Sequence, residues 1–263
     1  MARTTTHTGR SGRIGRTRLI AVAGAVAVAA TVAACGNDAR DDRHPDHRSF
    51  ALHGRTLTVD SDDSALEIVP ADVHEVRVTR WFQGTVVVGG DPRVTWAMKD
   101  DRLVLRLKCS GLVADCSARH RIEVPRGVAV KVEDGDGSVR AQGFEEALTI
   151  RTQDGSVRVS DSTGPLTLDS GDGSVRATGV GSRRVHAETR DGSVHLELGA
   201  VPDLVESSSE DGSVTITLPH ETYRVTTRTG DGSVHVSVPR DPASSHVVDA
   251  RTRDGSVTVR TAG

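Results

Sequence analysis

Residues 130–141 read Val-Lys-Val-Glu-Asp-Gly-Asp-Gly-Ser-Val-Arg-Ala, and the core of that stretch, Asp-Gly-Ser-Val, returns six more times. The tetrad begins at Asp136, Asp154, Asp172, Asp191, Asp211, Asp231 and Asp254, in steps of 18, 18, 19, 20, 20 and 23 residues. Self-similarity at such a period marks a repeat architecture. The steps are too short for a propeller blade and too irregular for the hexapeptide β-helix, which leaves a looser coil.

Aligning the units on their Asp separates what is constant from what is free. Six residues upstream stand Val130, Leu148, Leu166, Val185, Val205, Val225 and Val248, and five downstream stand Ala141, Val159, Ala177, Leu196, Ile216, Val236 and Val259. Two residues upstream the position holds Thr or Ser in every unit but the first, which has Asp134. Each unit therefore reads as strand, tight turn, strand, with period-two alternation on both arms. All length variation falls after the second strand, so one corner is constant and the other variable. Asp can accept a hydrogen bond from the Ser amide two residues on, and Gly supplies positive φ. The pairs Asp136-Gly137, Asp154-Gly155, Asp172-Gly173, Asp191-Gly192, Asp211-Gly212, Asp231-Gly232 and Asp254-Gly255 are thus expected to set the constant turns. Asp-Gly is also a hairpin signal, so stacked antiparallel hairpins are the rival architecture. The apolar columns favour successive coils whose equivalent strands pair in parallel.

Residues 50–129 lack the tetrad but hold Trp81, Trp96, Phe82, Met98 and the pair Cys109 and Cys116. A solenoid needs an atypical end over its open core, and this region is the expected N-terminal β cap, with residues 130–263 as the seven-repeat solenoid. Cys109 and Cys116 lie on the apolar parity of two runs joined by Ser-Gly-Leu-Val-Ala-Asp, and a structural disulfide between them is expected. At the other end the last unit stops at Thr261-Ala262-Gly263, so an uncovered final strand is expected to permit end-to-end self-association.

The first 34 residues carry five Arg and no acid, then an apolar run from Leu19 to Ala34, followed by Cys35. Small residues just ahead of a cysteine resemble the bacterial lipoprotein signal, which implies cleavage before Cys35, lipidation of its thiol and a lipid anchor in the cell membrane on the extracytoplasmic face. The polar stretch 35–49 is the expected disordered tether. Without the leader, the chain holds 28 basic and 36 acidic residues, a net of −8. Cationic charge is almost all arginine, and aromatics are only 2% of the chain. That composition argues against a nucleic-acid partner, which needs a basic face and stacking rings.

From Ile122 the run IEVPRGVAVKVEDGDGSVRAQGF, then LTIRTQDGSV and LTLDSGDGSV, resembles a bacterial β-strand-repeat family whose members are described as candidate adhesins. The resemblance spans about residues 50–263. It implies a right-handed, single-stranded parallel β-helix at the cell surface and carries over no catalytic residue. Ser, Asp and His recur, with His195 and His235 just after two motif valines, but a Ser in every unit is turn chemistry, and a nucleophile needs one base and one orienting acid. No catalytic residue, cofactor or resident metal is therefore assigned. Calcium along the Asp column stays open, with Arg140, Arg158 and Arg176 four residues on as the competing source of positive charge. The expected function is a lipid-anchored, non-catalytic structural, adhesion or interaction protein that meets an envelope polymer or surface protein. The alternatives are an accessory of envelope stress signalling and a polysaccharide-acting β-helix enzyme.

Overall fold

A computed structural model of the chain describes residue 39 and residues 42–263; the leader 1–34 and Cys35 lie outside the described residues. The described fold is all-β and builds two sheets around one apolar core. The N-terminal region supplies β1 (Asp46–Phe50), β2 (Thr56–Ser61), β3 (Ala65–Ala71), β4 (Val76–Val86), β5 (Arg93–Lys99), β6 (Arg102–Lys108) and β7 (Ala114–Pro125). The repeats supply β8 (Ala129–Asp134), β9 (Val139–Gln142), β10 (Leu148–Thr152), β11 (Val157–Ser160), β12 (Leu166–Ser170), β13 (Val175–Val180) and β14 (Arg184–Thr189). They continue with β15 (Val194–Leu198), β16 (Leu204–Asp211), β17 (Val214–Leu218), β18 (Arg224–Arg228), β19 (Val234–Val236), β20 (Val247–Asp254) and β21 (Val257–Thr261). The tether thus ends earlier than position 49, because β1 starts at Asp46 and pairs antiparallel with β4.

Every repeat places its first arm in one sheet and its second arm in the other, so each coil contributes a strand to both. Sheet A runs β1-β4-β7-β3-β9-β11-β13-β15-β17-β21-β19, and sheet B runs β18-β20-β16-β14-β12-β10-β8-β2-β6-β5. All pairings among the repeat strands are parallel and keep the columns in register, as in Leu148 with Leu166 and Val157 with Val175. Stacked antiparallel hairpins are therefore not the architecture of 130–263. Column residues such as Ile150, Leu168, Val157 and Leu196 are fully buried, each contributing about 1.5–3 kcal/mol relative to exposure.

The coils do not stack in sequence order. The last unit, β20 and β21, inserts between the β16/β17 and β18/β19 coils. The final strand is therefore covered on both sides, and the open edges belong to β18 and β19; the expectation of an uncovered C-terminal strand is corrected. The chain passes one level between β17 and β18, and the corner from Ser237 to His246 carries it back. At the other end β2 and β3 lie directly against β8 and β9, with Leu57 opposite Val130 and Leu66 opposite Val139. Residues 57–68 are an eighth unit: Leu57, Val59, Ser61, Asp63, Leu66 and Ile68 fill the column positions, while Ser64-Ala65 replaces Gly-Ser.

The constant corner is held by the residue two before the Asp. The Ser170 hydroxyl accepts the Gly173 amide at 3.0 Å and donates to the Gly155 carbonyl of the preceding coil at 3.0 Å. Thr152 accepts Gly155 N at 3.0 Å and donates to Gly135 O at 2.8 Å. Thr189, Ser209, Thr252 and Thr229 reach the glycine carbonyls of their neighbouring coils at 2.7, 2.8, 2.7 and 2.9 Å. Glycine is required by close approach: a Cβ on Gly155 would stand 1.9 Å from Gly137 O, and one on Gly173 2.2 Å from Gly155 O.

The expected Asx turn with left-handed glycine is corrected on this point. Among the motif glycines only Gly232 and Gly255 have positive φ, and among the described residues no motif Asp accepts its own Ser amide. The left-handed residues sit at the variable corner instead, at Gly143 (φ 76°), Asp161 (52°) and Gly179 (63°).

Cys109 and Cys116 form the expected disulfide, with Cα atoms 6.1 Å apart. It does not join two hydrogen-bonded strands: β6 belongs to sheet B and β7 to sheet A. Around it β4 pairs antiparallel with β7, and β5 with β6. Trp96 packs edge-on against Phe50 with ring centroids 6.3 Å apart, and the Arg80 guanidinium lies 4.2 Å from the Trp96 ring. Two other rings are buried elsewhere, Phe144 at a variable corner and Tyr223 beside the β18/β19 coil.

Candidate functional site

The position after each motif Val points out of sheet A. Parallel register lines these residues up across the strands as Glu67, Arg140, Arg158, Arg176, His195, Thr215, Thr258 and His235. Adjacent members are separated by about one strand spacing, ~4.8 Å. Arg140, Arg158 and Arg176 are exposed, and among the described residues none has a hydrogen-bond or ion-pair partner. Glu67, at the row's end, already holds Arg119 at 2.5 Å and Arg121 at 2.7 Å. The three arginines line a surface groove of about 280 Å³, whose next outward row is Gln142, Ser160 and Thr178.

On sheet B, made by the same coils, several arginines meet acids. Arg102 meets Asp60 at 2.5 Å and Glu133 at 2.6 Å, Arg151 meets Asp169 at 2.8 Å, and Arg251 meets Asp249 at 2.5 Å. Exposed pairs of this kind add little stability, but each offsets the charge of its own arginine. Like charges on adjacent strands are mildly destabilising, so the unpaired row on sheet A is a cost that the fold does not require. The row can bind anions, since each guanidinium offers a planar fork that matches a carboxylate or phosphate. Burial and the Arg176 charge lower the pKa of His195 at the row's far side, so the fixed positive charge lies on the three arginines.

Asp136, Asp154, Asp172, Asp191, Asp211, Asp231 and Asp254 are exposed along the constant corner. Desolvation, then the neighbouring Asp172 and Asp136 charges, raise the pKa of Asp154. Arg190 pairs with Asp172 and lies 3.5 Å from Asp191. The column's compensating charge therefore comes from Arg190, while Arg140, Arg158 and Arg176 face elsewhere. The motif serines pass hydrogen bonds from coil to coil, as in Ser213 N to Ser193 Oγ at 3.3 Å. Among the described residues one group could hold a divalent ion, Asp169, His186 and Glu188 on sheet B, with ligand atoms within 4.8 Å of one another. The motif aspartates form no such group.

Two buried ionisable groups lie outside the row. His120 occupies the motif-Val column opposite Leu66; burial, then the Arg80 charge, push its pKa down to about 3, so it stays neutral. Asp134 fills the hydroxyl position of the first repeat and is 6% exposed, with neither carboxylate oxygen in a well-formed hydrogen bond. Burial raises its pKa to about 8, and the nearby Ser61 hydroxyl and Gly137 amide offset this only in part.

No curated protein matches the chain. Among solved structures, a candidate adhesin from Bacteroides fragilis is 12% identical, with 86% of this chain and 100% of that one covered and a TM-score of 0.38. A candidate cell adhesion protein from Clostridium sporogenes is 11% identical, covering 83% of this chain and 100% of its own, with a TM-score of 0.35. A candidate adhesin from Parabacteroides merdae is 12% identical, covering 86% and 99%, with a TM-score of 0.33. The model of the family described as Toastrack DUF4097 matches residues 101–261, a range that contains the motifs from Ile122 to Val175 on which the resemblance rests. With well over half of its residues inside that match, the chain belongs to the Toastrack DUF4097 family.

Proposed function

We propose that this protein is exported, lipid-anchored through Cys35, and acts without catalysis as a surface scaffold that holds a linear anionic envelope polymer along sheet A. The single observation that carries the reading is the in-register, unpartnered row Arg140, Arg158 and Arg176. A linear polymer with carboxylates along its length can meet several guanidiniums of the row at once, and Gln142, Ser160 and Thr178 offer hydrogen-bonding partners to its hydroxyls. The coil is proposed to wind right-handed, the hand favoured for parallel β-crossovers. The antiparallel strands and rings of residues 46–125 are proposed to cap its N-terminal end. The cysteine after small residues and an apolar run supports anchoring at the extracytoplasmic face.

The test is calorimetric titration of polygalacturonate into the chain beginning at Gly36. Binding should weaken as salt rises and fall at least tenfold in the Arg140→Gln/Arg158→Gln/Arg176→Gln variant, while Arg151→Gln on sheet B binds as wild type. Equal binding by the triple variant removes the proposal.

A further inference from the structure

One feature of the N-terminal region serves neither the core nor the arginine row. In the β2/β3 coil four residues separate the inward positions Ser61 and Leu66. In the next coil out, fourteen separate their register partners, Leu105 and His120. The extra chain pairs with the end of β4 and the residues after it to form a two-stranded arch at the constant corner. Gly84 pairs with Cys116 and Val86 with Ala114, Val87 N donates to Val113 O at 2.9 Å, and Leu112 N donates to Val88 O at 2.7 Å. The disulfide closes its base.

The crown of this arch is apolar and bare. Val87 is 67% exposed, Val88 56%, Leu112 84% and Val113 61%, four of the five exposed large hydrophobics among the described residues. Val87 stands opposite Val113 and Val88 opposite Leu112, so period-two alternation puts one pair on each face of the ribbon. A protein surface would cover one face, whereas a lipid layer surrounds both. The crown's backbone is hydrogen-bonded strand to strand, which lowers the penalty for leaving water.

The path of the chain indicates which surface the crown meets. Asp42 accepts the Phe82 amide at 3.0 Å, so the chain enters alongside β4 on the arch side of β1, whose Asp46 pairs with Arg80. Only residues 36–41 lie between Asp42 and Cys35, a reach of at most ~25 Å. We infer that the arch is a second membrane contact, seating Val87, Val88, Leu112 and Val113 in the bilayer surface beside the lipid on Cys35. The inference rests on the lipid-anchor reading above. Once the lipid has bound, the arch meets the same surface at high effective concentration, so two apolar contacts hold the chain more firmly than either alone.

Two separate measurements keep the anchor and the arch apart. Metabolic labelling of the full-length chain with palmitate should mark wild type and not Cys35→Ala, and absence of label overturns the anchor alone. Sedimentation of the unlipidated chain from Gly36 with phosphatidylcholine vesicles reads the arch. Wild type and Arg151→Gln should partition alike, with little dependence on salt, and Val88→Asp/Leu112→Asp should partition at least tenfold less. Unchanged circular dichroism and urea midpoint establish that this variant is folded. Absence of wild-type partitioning, or equal partitioning by the arch variant, overturns the inference. So does a soluble dimer that dissociates in the arch variant, which would make the crown a self-association surface.

Discussion

The repeat coils and the region before them share two sheets and one core, yet they turn their corners differently. From Leu148 onward a hydroxyl, a glycine and a serine recur at every level, and hydrogen bonds from these positions stitch coil to coil. Between Val76 and Pro125 that corner is replaced by antiparallel strand pairs and a disulfide, with Trp96 edge-on against Phe50, none of which is repeated. Repetition gives a surface with a regular spacing, suited to a polymer that is itself regular. The interrupted part gives singular features, suited to a contact made once. Asp134 sits at the boundary, a carboxyl in a hydroxyl position.

That contrast can be broken most severely at the glycine column. Gly173→Ala places a methyl 2.2 Å from the Gly155 carbonyl and should destabilise by about 3 kcal/mol or more, because two coils must part. Gly90→Ala, with nothing within 4 Å of its Cβ, should stay within about 0.5 kcal/mol of wild type in urea unfolding.

Next is the staple of the non-repeating region. Cys109→Ser/Cys116→Ser, which opens a short loop, should cost about 2.5 kcal/mol by loop-closure entropy. Its amide-exchange protection should drop first in β4 to β7, and an equal drop in β12 to β15 would contradict independent solutions of the corner.

Replacing the boundary carboxyl sharpens the comparison. The pKa of Asp134 is raised in the folded chain to about 8, so its contribution is most favourable below the unfolded carboxylate range and is lost as pH rises toward about 8. Asp134→Thr, which restores the column, should therefore stabilise by about 2 kcal/mol at pH 8 and little at pH 4, read from urea midpoints at the two values. His120 acts in the opposite sense: with its pKa lowered to about 3, stability is lost as pH falls from about 6.5 toward 3.

The smallest effect is expected from one rung of the ladder. Ser170→Ala removes a donor and an acceptor between two coils and should cost about 1–2 kcal/mol, measured by the same denaturation. No change would show that glycine packing alone sets the corner.

Much of this fold was legible in the amino-acid order because the apolar columns keep a constant distance from the Asp. Parallel coils and the constant and variable corners follow from those distances, while the pairing of Cys109 with Cys116 follows from the apolar parity of the two runs that carry them. The stacking order did not, since β18/β19 and β20/β21 carry the same columns and spacing along the chain does not say which coil lies deeper. The eighth unit at Leu57–Ile68 was hidden by Ser64-Ala65 in place of Gly-Ser, although its columns match. Glycine's role was misplaced because a short distance between coils and a positive φ select the same residue. Arg140, Arg158 and Arg176 were visible as a triplet, but only the fold shows that they face away from the Asp column and have no acid to meet.

Sheet A is proposed to present one anion-binding row. The most direct test follows the arginine side-chain Nε–H resonances of the labelled chain from Gly36 while a short oligogalacturonate is added. Shifts concentrated on Arg140, Arg158 and Arg176 are expected, with Arg151 and Arg251 of sheet B unmoved. Shifts centred on sheet B, or none at saturating ligand, would contradict it.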